Sequence, residues 1–220
     1  MGLRSTGLLA ACTLPLLLTA ALFAGPLAMD ALDGALLSSR RLPSAAMAVR
    51  NFAAAPLTEE LCFRCGLVSY LILGGTSPAR CIWLSPALFG AAHLHHALDL
   101  VRHQGWALGR ALAASAFQFG YTLAFGWLAA FLLLRTGHLA AAVAAHVLCN
   151  FMGFPRFGDI VGHPHARLVG AIYAAGIAAF ALLLFPLTAP RLYGFGAGDS
   201  YPAQLAAFRH AGADASFNTQ

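Results

Sequence analysis

The chain has 220 residues, 60% of them hydrophobic and 10% charged, with a mean hydropathy of +0.73; a soluble globular domain carries roughly 25% charge. The formal charge of +5 comes from thirteen arginines and no lysine, set singly and not gathered into a stripe that could track phosphates, so nucleic acid is excluded as a partner and the lipid bilayer is the expected solvent. Five cysteines, Cys12, Cys62, Cys65, Cys81 and Cys149, all lie in apolar stretches as small hydrophobes, which argues against a disulfide framework. Cys62 and Cys65 have CxxC spacing without the βαβ context of a redox motif or a second CxxC for zinc.

The first apolar stretch, 5–29, follows Arg4 and is long for a secretory signal, so it is expected to remain as a helix. A polar linker with two Asp and two Arg runs from there to Pro43, and residues 44–50 are expected to form a short surface helix. Stretch 51–79 spans only if Glu59, Glu60 and Arg64 are tolerated inside it. Pro suits the first turn of a helix, so this helix is expected to begin near Pro56. Stretches 81–98, 111–134, 136–155 and 168–190 complete a set of six, each close to the ~20 residues that cross a bilayer; Pro86, Gly120 and Gly126 interrupt two of them. The expected fold is all-α, a polytopic membrane helical bundle of about six helices over residues 1–195, with residues 196–220 a polar, disordered tail. With all six spanning, the loops at 30–50, 99–110 and 156–167 hold seven arginines against five on the other side, which assigns them to the cytoplasm.

Glu59 and Glu60 are the only glutamates in the chain, and they are adjacent within an apolar segment. A carboxylate at the bilayer centre costs about 2.5–3.5 kcal/mol. Glu60 and Arg64 are i and i+4, where an acid and a base meet on one face, whereas Glu59 points about 100° away. The spacing alone is equally compatible with a solvated helix start at the membrane surface. Histidines shift the balance: His93, His95 and His96 fall in the next apolar stretch, with Phe89 one turn before His93, and His146 lies i−4 from Asn150 in the fifth, so that those two can present neutral hydrogen-bond donors to one point. Polar side chains on three helices imply a shared interior cavity. A carboxylate near an imidazole suits deprotonation of water, and a separate donor pair suits the oxyanion that water creates on attacking a carbonyl. Ser69, Ser85 and Ser115 lack the GxSxG elbow, and HExxH is absent. A zinc ion on three His and a Glu remains the rival arrangement.

Glu59-Glu60-x-x-x-Arg64, Phe89-x-x-x-His93 and His146-x-x-x-Asn150 resemble the three-motif signature of the CAAX protease and bacteriocin-processing (ABI) family of intramembrane glutamate proteases. Pro56-Leu57-Thr58 before Glu59, Gly90-Ala91-Ala92 before His93, Arg135-Thr136-Gly137-His138-Leu139 and Cys149-Asn150-Phe151-Met152-Gly153-Phe154-Pro155 are similar to its eukaryotic type II CAAX prenyl endopeptidases, over about residues 14–194. The resemblance implies a multi-pass endoplasmic reticulum enzyme that removes the last three residues from prenylated CAAX proteins such as small GTPases, with no metal or other cofactor. It implies Glu59 and His93 as the water-activating catalytic pair, His146 and Asn150 as the oxyanion stabilisers, and Glu60, Arg64 and Phe89 as their support. It also implies about eight membrane helices, so that some N-terminal helices of the family are expected to be missing here. A family protease for unprenylated peptides, and a non-catalytic membrane scaffold that keeps the polar cluster for packing, remain as alternatives.

Overall fold

The computed structural model describes residues 2–34, 43–92 and 95–217, and among these the chain is helical, with no strand. Helices α1 (Leu8–Leu22) and α2 (Ala24–Leu32) meet at a 66° bend. The helical run α3 spans 45–73, and α4 is Pro78–Ala91, α5 His95–Arg102, α6 Leu108–Thr136, α7 Leu139–Met152, α8 Ala166–Leu187 and α9 Tyr201–Phe217. Among the described residues α6 and α8 are long and apolar enough to cross a membrane, and the bent α1–α2 pair makes a third candidate. Two other stretches read as spans are shorter or broken: 81–98 divides between α4 and α5, and 136–155 yields the short α7. By contrast α6 runs unbroken through Gly120 and Gly126.

Small residues bring these helices together, as expected where lipid supplies no hydrophobic force between them. A Cβ at Gly176 of α8 would lie 2.3 Å from Ala21 O of α1, and one at Gly126 of α6 would lie 2.7 Å from Pro86 Cβ of α4. In this way α1 lies against α7 and α8, while α4 packs along α6. The outer face of α8 is apolar, with Leu168, Ile177, Leu182, Leu183 and Phe185 exposed, the pattern of a helix facing lipid.

Local chemistry sets the ends of these helices. Ser77 Oγ accepts from Arg80 N at 3.4 Å and Pro78 follows it, a capped start for α4. Gly137, at φ 65°, stops α6 in the left-handed conformation and donates its N–H to Leu133 O.

Two expectations are corrected here. The carboxylate-bearing helix begins at Ala45, capped by Ser44, well before Pro56. It passes Pro56 because Arg50–Ala54 is a π-helical turn, in which the N–H of residue i reaches the carbonyl of i−5; Ala55 N bonds Arg50 O in this way. The second correction concerns the segment read as a disordered tail. Most of it is α9, which is fastened by buried Tyr201 and Leu205 and by a 2.8 Å hydrogen bond between Tyr201 and Ser69 hydroxyls.

Candidate active site

Four helices converge on one polar cavity of about 170 Å³. From α3 comes Glu59, from α4 Phe89, and from α7 His146, Cys149 and Asn150; α6 supplies Gln118, Tyr121, Thr122 and Phe125. The α3 segment Glu60–Val68 is again π-helical, a rare conformation that recurs at functional sites. It turns Glu60 and Arg64 inward, both fully buried, with Arg64 Nε 3.2 Å from Glu60 Oε2. The Arg64 guanidinium lies 4.3 Å from the Phe89 ring centroid and 5.5 Å from that of Phe125, so aromatic faces share the cation with one carboxylate.

The second Glu60 oxygen, Oε1, accepts a 2.8 Å hydrogen bond from His146 Nδ1. A carboxylate can only accept, so Nδ1 carries the proton and Nε2 faces the cavity, 3.8 Å from Glu59 Oε2. That fixes the imidazole's chemistry: neutral, it shows a lone pair to the cavity, and only as imidazolium can it donate there. Two neutral donors on α7 were expected, and the bond to Glu60 changes that for His146. Phe125 packs on the His146 ring at 4.6 Å between centroids. Glu59 keeps 30% of its side chain exposed and Glu60 none, which divides the adjacent carboxylates into one that faces the cavity and one that supports it.

Asn150 is tied to α3 through backbone chemistry. Pro56 has no N–H, so the π pattern leaves Asn51 O, five residues before it, without a partner. Asn150 Nδ2 donates to that carbonyl at 2.9 Å. One amide hydrogen is thereby committed and the second stays available to the cavity.

His93 lies outside the described residues. His95 is exposed, its Nδ1 2.7 Å from Ala92 O, and does not line the cavity. Among the described residues no group of three or more His, Cys, Asp or Glu is placed to hold a metal ion. None of the five cysteines forms a disulfide. The sequence reading missed Gln118, Tyr121, Thr122 and Phe125. Their signal is the i, i+3, i+4, i+7 spacing of polar and aromatic side chains in the uncharged middle of a membrane helix.

Residues 41–152 match the family described as type II CAAX prenyl endopeptidase Rce1-like. The chain is 43% identical over 207 residues to CAAX prenyl protease 2 of Homo sapiens, an overlap of 88% of this chain and 62% of that one. Against the Arabidopsis thaliana protein of the same name the identity is 43% over 151 residues, 68% of this chain and 47% of the relative. The Rattus norvegicus protein is 36% identical over 208 residues, 88% of this chain and 60% of its own. The chain thus spans between about half and three-fifths of the length of these relatives. No solved structure gives a significant match.

Proposed function

Because the chain belongs to the type II CAAX prenyl endopeptidase Rce1-like family, we propose that it is an intramembrane endopeptidase that removes the C-terminal tripeptide from prenylated CAAX proteins, small GTPases among them, at the endoplasmic reticulum membrane. The observation that carries the reading is the polar cavity in which Glu59, His146 and Asn150 meet over the buried chain Arg64–Glu60–His146.

In this mechanism Glu59 takes a proton from water, whose oxygen attacks the carbonyl of the prenylated cysteine. His93 is assigned to the same water on the family motif alone. Negative charge develops on the carbonyl oxygen, where the free Nδ2 hydrogen of Asn150 and Nε2–H of protonated His146 donate to it. Glu60 beneath Nδ1 stabilises that imidazolium, and the Arg64 guanidinium is the partner without which the buried Glu60 would sit at high cost. When the C–N bond breaks, Glu59 returns its proton to the departing amine. The products are a carboxylate at the prenylated cysteine and a free tripeptide.

The test is to incubate purified protein with a farnesylated CAAX peptide, and with the same peptide unprenylated, and to weigh the products. Release of the tripeptide from the prenylated peptide alone is expected, with turnover lost in Glu59→Gln while the melting temperature in detergent holds. Equal cleavage of both peptides would move the substrate class to unprenylated peptides. Near-normal turnover in Glu59→Gln would sink the mechanism.

A further inference from the structure

A second cavity, about 550 Å³ and lined almost wholly by apolar side chains, adjoins the polar one and shares Tyr121, Phe125 and Cys149 with it. It is a trough between α6 and α8. Along α6 it runs from Tyr121 to Phe131, and along α8 from Tyr173 to Leu184. At the Tyr121 end, Phe154 and Phe157 of the loop between α7 and α8 bridge the helices: Phe154 stands 5.7 Å from Tyr121, and Phe157 5.3 Å from Tyr173. At the opposite end Phe131 meets Phe185 edge to face at 5.6 Å, and Arg135 fixes Phe185 by donating to its carbonyl at 3.3 Å. Ile177, midway along, is 51% exposed, so one flank opens sideways.

We infer that this trough holds the isoprenoid of the substrate with its thioether end at Tyr121 and Cys149 and its far end at Phe131, and that Phe131 sets how long a chain the trough accommodates. The inference rests on the prenyl-protein reading above and deepens it. Three observations carry it. The trough's polar neighbour is the hydrolytic cavity, so a ligand reaching from one into the other has a polar, cleavable end and a long apolar one. Ten positions of α6 separate Tyr121 from Phe131, roughly 15 Å at about 1.5 Å of rise per residue, which is close to the length of an extended three-isoprene chain. The open flank lies on a helix face suited to lipid, so an apolar chain enters from the side without crossing water. A four-isoprene chain extends one unit further and meets the Phe131–Phe185 pair.

Two measurements test this. In the first, wild type, Phe131→Ala and Phe131→Trp compete a farnesylated against a geranylgeranylated form of one CAAX peptide. Phe131→Ala is expected to raise the geranylgeranyl-to-farnesyl ratio of kcat/KM at least threefold and Phe131→Trp to lower it. A ratio unmoved in both, with wild type turning over, overturns the ruler and leaves the function standing. In the second, Glu59→Gln binds a farnesyl peptide carrying a diazirine at the far end of the lipid; light crosslinks it and mass spectrometry maps the adduct. Label is expected within 127–131 and 180–185, displaced by unlabelled farnesyl peptide and not by dioleoyl phosphatidylcholine. Label elsewhere, or equal displacement by the phospholipid, overturns the assignment. This second readout needs neither turnover nor a Phe131 variant, so it decides the trough even if wild type cleaves neither peptide, an outcome that would defeat the functional reading instead.

Discussion

Among the described residues, two clusters that pair opposite charges differ in depth. At the polar cavity Glu60 and Arg64 pair with no exposure on either side. In the loop after α7, Arg156 pairs with Asp30 of α2 and lies 3.6 Å from Asp159, while His163 of the same loop reaches Asp33 at 3.1 Å. There Arg156 keeps 53% of its side chain exposed. The chemistry is similar and the role differs. Partly screened charges fasten a loop whose Phe154 and Phe157 wall the trough; Arg156 can turn to water, whereas Asp30 keeps only 4% of its side chain exposed. In the buried pair neither partner has that alternative, and its second carboxylate oxygen holds the His146 imidazole. Depth, more than the pairing of charges, separates machinery from fastening.

That contrast can be broken by mutation, beginning with its strongest element. Glu60→Gln and Arg64→Met are each expected to lower stability by about 3–5 kcal/mol, because one charge is then stranded without solvent. The double change should regain part of that loss. Thermal melts of the four proteins in detergent decide it, and strictly additive losses would show that the two side chains are not coupled. Next in size is Asn150→Ala, expected to slow cleavage by about 10²–10³-fold, the effect of deleting one oxyanion donor, when kcat is measured on a prenylated peptide; a change confined to KM would remove Asn150 from the transition state. The smallest effect belongs to the exposed cluster. Arg156→Gln should cost about 1–3 kcal/mol, less than Arg64→Met because the Gln amide can still donate to the buried Asp30, and a loss as large as that of Arg64→Met would erase the distinction between the clusters.

The parts of the molecule written in long uncharged runs were legible in the sequence. Residues 168–190 became Ala166–Leu187 and 111–134 became Leu108–Thr136, because hydropathy over a bilayer's thickness is a one-dimensional property. The 66° bend after Leu22 was not legible. It sits in unbroken apolar sequence beside Gly25, where an added Cβ would come within 2.1 Å of the Tyr173 ring, so the bend involves a residue far away in the chain. Pro56 misled for a related reason: a proline starts an α-helix, yet a π turn lets the helix run through it, and π and α turns share composition. In the site, Glu59, Glu60, Arg64, His146 and Asn150 stood out as polar groups in apolar sequence. Gln118, Tyr121 and Thr122 did not: their spacing puts them on one face of α6, but only the packing of α6 on its neighbours aims that face at the cavity. The division of labour between Glu59 and Glu60 was half visible, through the i+4 arginine. The bond that fixes the His146 tautomer crosses 86 positions of chain, and no local pattern announces it.

The hydrogen bond from Asn150 to Asn51 O also has a meaning for the order in which the molecule assembles. Asn150 is oriented by a carbonyl that is open only where α3 has adopted its π turn ahead of Pro56, and His146 on the same helix is oriented only by Glu60 of α3. Until α7 has docked on α3 in register, neither side chain has its partner, and that wall of the cavity does not exist. A chain caught part-way through membrane insertion therefore carries every polar side chain of the cavity without their arrangement, so the bundle completes the site only when it completes itself.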